Sequence, residues 1–159
     1  GVTAQDVERI VVTIDEQGAR TVNQRKMASI NIQHLVAMML NDGEITFASA
    51  HDEARVRDPA VLKLKSRIEL AGSAAFMRTK TTQAIVEIAT RDGRRLRHHT
   101  KAVRGTAANP MPRAEVEAKS LDLLLPVLGA QRARKLIDSV WRIERVTDMR
   151  ELRRLLSAA

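Results

Sequence analysis

The most regular pattern in the chain lies between Ile30 and Gly43, where apolar side chains recur every three or four residues. This spacing predicts a helix that buries one apolar stripe against the rest of the protein. The Asp42-Gly43 pair predicts its end, because glycine commonly follows the last turn of a helix. The stripe consists of Ile32, Leu35, Val36, Met39 and Leu40.

The first turn of this predicted helix is polar and contains Asn31, Gln33 and His34. Ser29 or Asn31 is a suitable N-cap, since a short polar side chain there accepts a hydrogen bond from the free backbone N–H groups. The same N–H groups and the positive end of the helix dipole also suit a carboxylate ligand. A buried histidine satisfied by hydrogen bonds is the commoner arrangement. The pattern alone leaves both interpretations open.

The chain before residue 104 predicts an α+β fold with a small antiparallel sheet and packed helices. β-branched residues favour strands, and Asp92-Gly93 is a typical hairpin turn. Asp58-Pro59 predicts a helix start, with Asp as the cap and Pro in the first turn. The predicted strands cover 9–15, 67–72 and both sides of Asp92-Gly93; the predicted loops cover 16–27 and 73–82; a short helix is predicted around Phe47.

The last third of the chain predicts only helices, so we assign residues 1–104 to an α+β domain and 105–159 to a helical segment. Gly129 predicts a break between the first two helices, and Asp148 predicts the start of the last one. Leucine-rich stripes run along all three. Helices of this size bury little against each other alone, so we expect the stripes to dock on another surface.

Charge and composition narrow the possible partners. Lys and Arg number 27 against 19 acidic residues, which gives a net charge of +8 and favours anionic partners such as nucleic acid or small polycarboxylates. Solubility alone explains the charge equally well. The chain has no cysteine, which excludes disulfides and thiolate metal sites and fits a cytoplasmic protein. No apolar run approaches the roughly 20 residues that span a bilayer, so no membrane partner is predicted.

The histidines do not predict a metal site. There are four of them, His34, His51, His98 and His99, and no pair has the i, i+4 spacing of a helical metal site. His98 and His99 are neighbours on a predicted strand, where adjacent side chains point to opposite faces. We therefore predict no bound metal.

A row of cations on the last predicted strand is the alternative candidate for function. Arg95, Arg97, His99 and Lys101 share one face, which would suit the phosphates of a nucleic acid. No aromatic side chains alternate with them to stack bases. A solvated edge strand that resists aggregation explains the same row. A nucleic-acid-binding module therefore ranks second.

Two long segments resemble the MmgE/PrpD family. Residues 30–70 are similar to a family segment that reads roughly Ser-x-x-Tyr-x-x-Ala-x-x-Leu-x-x-Gly, followed by an Asp-Pro helix and a short strand. Residues 91–156 resemble its C-terminal run of an Asp-Gly hairpin, Arg-Gly and Asn-Pro pairs, a Lys-containing helix, a helix ending near Trp and a Leu-rich helix. Residues 1–12 resemble the preceding family segment. The ordered set carries the resemblance.

The resemblance implies an enzyme related to 2-methylcitrate dehydratase, cis-aconitate decarboxylase and iminodisuccinate epimerase. These use metal-free and cofactor-free proton chemistry on small di- and tricarboxylates. A large N-terminal helical domain holds most of the family's catalytic residues, and a smaller α+β domain forms a lid. This chain resembles the lid and the last helices, so we expect it to be inactive alone, to pair with such a helical domain on the same or a separate chain, and to form homodimers. A non-catalytic subunit is a further alternative.

The resemblance also points to two site residues in the polar helix start. The family tyrosine falls on His34, and its serine falls on Asn31. Because the tyrosine belongs to the substrate cleft of the relatives, His34 is the candidate catalytic residue, and Asn31 is the candidate substrate-binding residue. Histidine can donate a proton or bind a carboxylate near neutral pH.

Overall fold

The computed structural model describes residues 1–157 and separates into two compact units, Gly1–Asn109 and the chain from Pro110 onward. The predicted class, α+β followed by a helical segment, is confirmed, while the assignment of a lid and a docking segment stays a prediction. The strands are β1 (Val7–Asp15), β2 (Ile68–Ser73), β3 (Ala84–Thr90) and β4 (Arg95–Thr100). The helices are α1 (Glu16–Val22), α2 (Ile32–Asp42), α3 (Phe47–Ala50), α4 (Glu53–Val56), α5 (Pro59–Lys65), α6 (Arg113–Trp141) and α7 (Arg150–Leu156).

The four strands form a mixed sheet in the order β2-β1-β3-β4. The predicted antiparallel sheet is correct for β1 with β3 and for β3 with β4, but β1 and β2 are parallel. The reason is the long helical connection between β1 and β2, which returns the chain to the end of the sheet where β1 began. Parallel neighbours need such a crossover, whereas a short turn makes antiparallel ones.

The core lies between this sheet and the helices α2 and α5. β1 supplies its centre, because Ile10 and Val12 alternate with more exposed residues and are almost fully buried. Helices α4 and α5 are tied to α2 by Arg55, which bonds Asp42 at 2.5 Å and also bonds the α5 cap Asp58. The buried core of this unit consists of Val7, Ile10, Val12, Ala37, Met38, Val61, Leu64 and Ile68.

Helix α1 replaces most of the loop that was predicted for residues 16–27. The carboxylate of Asp15 caps this helix by accepting a hydrogen bond from the backbone N–H of Gly18 at 2.7 Å. Glu16 and Arg20 form an i, i+4 ion pair at 2.5 Å along its exposed side. Gly18 suggested a loop, but its missing side chain makes room for the cap, since a Cβ there would lie 2.7 Å from an Asp15 oxygen.

The second unit is built from α6 and α7. Its small core contains Leu128, Leu136 and Leu152. Gly129 interrupts α6 with φ 72° and ψ 167°, which confirms the predicted break. No helix among residues 1–157 is long and apolar enough to cross a membrane. The cytoplasmic location stays a prediction.

Gly43 and Gly129 both have a positive φ, but asparagine should be tolerated at only one of them. Gly43 ends α2 in the left-handed helical region, which asparagine adopts readily, so Gly43→Asn is expected to leave stability nearly unchanged. Gly129 lies in a region that only glycine populates, so Gly129→Asn is expected to cost about 1–3 kcal/mol. Urea unfolding followed by circular dichroism and Trp141 fluorescence would measure both. Equal losses for the two variants would contradict this assignment.

Candidate functional site

Helix α2 buries a broader surface than the predicted stripe, of which Ile32, Val36 and Leu40 pack against the core as partly buried residues. Met39, in the middle of the predicted stripe, is 47% exposed, and the other stripe residues are only half-buried. The helix is apolar on nearly all sides, so periodicity could not select the buried face. Contacts with α5, the sheet and the segment before α2 select it instead. The buried positions of α2 are Gln33, His34, Ala37 and Met38.

Asn31 is the N-cap of α2 and is 1% exposed. Its Oδ1 accepts a hydrogen bond from the backbone N–H of His34 at 3.0 Å, and its Nδ2 donates to the carbonyl of Arg25 at 2.6 Å. The capping interpretation of this residue is therefore confirmed. Both ends of the side chain are engaged within the protein, and its role in substrate binding stays a prediction.

Gln33, in the first turn of α2, holds the same preceding segment. Its Nε2 donates to Oδ1 of Asn23 at 2.6 Å, and its Oε1 accepts from the backbone N–H of Gln24 at 3.1 Å. Gln24 has a φ of 46°, which is uncommon for a residue with a side chain. We call the Asn31 and Gln33 side chains the polar clamp, because together they fasten residues 23–25 to the start of α2. The sequence alone assigns Gln33 no role, because an amide beside a helix cap is its only distinguishing feature.

His34 is the one polar side chain of this turn that is not satisfied. It is 2% exposed, and its Nε2 has no hydrogen-bond partner within residues 1–157. Burial lowers the pKa of its imidazole, and the nearby charges of Lys65 and Arg55 act in the same direction. The ring is therefore neutral at physiological pH. A neutral imidazole with one uncommitted nitrogen can donate or accept a hydrogen bond, depending on its tautomer.

The lowered pKa of His34 predicts a specific dependence of stability on pH. As the pH is lowered through 6.5, the ordinary pKa of histidine, the imidazole is protonated in the unfolded chain at a higher pH than in the folded one. The free energy of unfolding should therefore decrease as the pH is lowered below about 6.5. His34→Gln removes this titration, and its difference in stability from the wild type should change between about pH 8 and pH 5. Urea unfolding at both pH values would measure it. A difference that is constant with pH would show that His34 does not titrate as described.

The other histidines lie in different surroundings. Nδ1 of His51 lies 2.8 Å from the carbonyl of Phe47, and Nε2 of His99 lies 2.8 Å from Oε1 of Gln83. Within the described part of the chain, no group of three His, Asp or Glu side chains could hold a metal ion. The predicted independence of metals and cofactors stays a prediction.

Two side chains of the cationic row on β4 make contacts with other residues of the α+β unit. Arg97 pairs with Glu87 on β3 at 3.5 Å. The His99 ring stacks on Phe76 at 5.8 Å and bonds Gln83. Two members of the row therefore have neighbours that explain their positions. Nucleic-acid binding through this strand stays a prediction.

A comparison with known protein families gives a match over most of the chain. The sequence model of the MmgE/PrpD C-terminal domain matches residues 1–143, which include the whole α+β unit and all of α6. A search of curated proteins finds no significant match. The family match covers the segment of α2 that carries His34 and the hairpin of β3 and β4. The chain therefore belongs to the MmgE/PrpD family, as a C-terminal domain.

Proposed function

We propose that this chain is the C-terminal domain of an enzyme that removes a proton next to a carboxylate of a small di- or tricarboxylate. Loss of water, loss of CO₂ or inversion would follow, and a reaction like that of 2-methylcitrate dehydratase would make the enzyme a carbon–oxygen lyase. The family match over residues 1–143 carries this proposal. The net charge of +8 supports it, because polycarboxylates need cationic surroundings.

In this function, His34 contacts the substrate through Nε2. The atom is buried and lacks a hydrogen-bond partner in the described chain. A buried nitrogen without a partner lowers the stability of the fold, so a ligand that hydrogen-bonds it would remove this cost. The neutral ring can give a hydrogen bond to a substrate carboxylate or pass a proton at that atom. Because His34 is 2% exposed, substrate reaches it only when the surrounding segments open a path.

The remaining acid and base groups come from a helical N-terminal domain, on the same or a separate chain. The apolar surface of the second unit supports such a partner. A groove of about 310 Å³ runs along α6 and α7, and Val140 and Leu156 beside it are 53% and 59% exposed. Exposed patches of this kind are typical of docking surfaces. Homodimer formation by the assembled enzyme belongs to the same proposal.

The chain alone is expected to show no dehydratase, decarboxylase or epimerase turnover, since the proposed partner domain supplies the principal acid and base. Joined to the helical domain, it should incorporate deuterium from D₂O next to a substrate carboxylate, which NMR detects whatever the final product. 2-Methylcitrate, cis-aconitate and iminodisuccinate are the substrates to test.

Exchange or turnover by the isolated chain would contradict the requirement for a partner. A folded, assembled enzyme that exchanges no proton on any of these compounds would overturn the proposed function. If the assembly binds but does not turn them over, the alternative of a non-catalytic subunit gains support.

A further inference from the structure

A second concave surface lies at the other end of α2 from His34. It is a cleft of about 430 Å³ within the α+β unit, and Asn41 in the last turn of α2 lines it. His34 and Asn41 are seven positions apart, which places them roughly 10 Å apart along the helix axis at 1.5 Å per residue. The cleft is thus separate from the polar clamp and from His34.

Three cations line this cleft from three different parts of the chain. Lys63 comes from α5, Arg67 from the residue before β2, and Arg91 from the turn between β3 and β4. No acidic side chain from the described residues, 1–157, lines the cleft. In residues 1–157 none of the three forms an ion pair, whereas Arg9 pairs with Glu69 elsewhere in this unit. Three like charges around one concavity repel each other unless water or an anion screens them.

The two guanidinium groups are held in place by backbone carbonyls. Nη1 of Arg67 donates to the carbonyl of Val7 at 2.8 Å, and Nε of Arg91 donates to the carbonyl of Gln5 at 3.2 Å. A guanidinium has five N–H donors, so each group keeps further donors after this bond. Fixing one edge of the fork reduces the entropy lost when the other edge binds a ligand.

The helix dipole explains the position of only one of these three cations. Lys63 lies in the last turn of α5, where a cation offsets the negative end of the helix. Arg67 and Arg91 lie outside the helices, so this explanation does not cover them. Gln5 and Asn41 also line the cleft, and both are uncharged. The cleft therefore combines two guanidinium groups, each bonded to a backbone carbonyl, with the ammonium group of Lys63.

We propose that this cleft binds a small oxyanion with two or more negative charges, either a phosphate or a polycarboxylate. Guanidinium groups bind both through paired N–H donors, and the ammonium group of Lys63 adds a mobile third contact. The size of the cleft suits a metabolite rather than a chain of nucleotides. The site does not depend on the proposed chemistry at His34.

An NMR titration of the ¹⁵N-labelled full chain tests this proposal. Sodium phosphate and sodium citrate are added separately at constant ionic strength, with sodium chloride as the reference. The amide signals of residues 63–67 and of Arg91 should shift and saturate in the millimolar range or below. Arg91→Gln and Lys63→Gln should each raise Kd about tenfold, which is the typical effect of losing a charge-assisted contact.

Arg95→Gln is the matched control, because it removes one exposed cation from the same hairpin without touching the cleft. It should leave Kd unchanged. Saturation by phosphate alone, by citrate alone or by both supports the site and identifies the oxyanion it prefers. Shifts that chloride reproduces, shifts that do not saturate, or an equal effect of Arg95→Gln would overturn it. No turnover is measured, so failure here leaves the proposed function standing, and the reverse also holds.

Discussion

His34→Ala is expected to lower kcat/KM of the assembled enzyme about 100-fold, the lower range for losing a general acid or base. The loss follows if Nε2 contacts the substrate, because no other group of residues 1–157 hydrogen-bonds that atom and alanine leaves nothing in its place. Steady-state kinetics on the substrate found by deuterium exchange would measure the loss. Urea unfolding of the same variant would separate it from a loss of folded protein.

Two further substitutions at His34 distinguish chemistry from packing. His34→Tyr introduces the residue that the family resemblance places there, so it should retain part of the activity that His34→Ala loses. His34→Gln keeps a polar group but cannot titrate, so the wild-type pH profile of kcat/KM should lose its acid limb in this variant. If His34→Ala leaves kcat/KM and substrate affinity unchanged, His34 is a core residue and its unsatisfied nitrogen has no catalytic meaning.

Asn31→Ala is expected to lower the free energy of unfolding by about 2–3 kcal/mol. The cap of α2 contributes about 1 kcal/mol of this, and the rest comes from the Arg25 carbonyl, which loses its buried donor. Asn31→Ser should cost less, since the serine hydroxyl still accepts from the backbone N–H of His34. Urea unfolding of the three proteins would give the order.

The same variants test the predicted role of Asn31 in substrate binding. If Asn31 acts only through the polar clamp, stability falls in the order Asn, Ser, Ala while KM changes little in the protein that remains folded. A large rise in KM with almost no loss of stability would instead place the amide on the substrate. That result would contradict the capping energy expected from the 1% exposure and the two hydrogen bonds of this side chain.

Several elements were predictable because short-range forces determine them. The Asp92-Gly93 turn, the Asp58-Pro59 helix start and the break at Gly129 all appear as predicted. In each, the deciding interaction lies within a few residues: a backbone conformation that glycine adopts easily, or a side chain that caps the next turn. Helix α1 was missed because Gly18 favours a loop in isolation, and the cap from Asp15 outweighs that preference.

The sequence by itself therefore determined the local elements, the α+β class and, through resemblance, the family. Only the tertiary structure decided that β1 and β2 run parallel, that α2 buries Gln33 and His34, and that Lys63 and Arg91 share a cleft. Each of these depends on groups that are far apart in the chain. Periodicity measures how apolar a helix face is, but α2 is apolar on nearly every side. The buried face includes Gln33, whose amide finds its partners in residues that the fold brings beside α2.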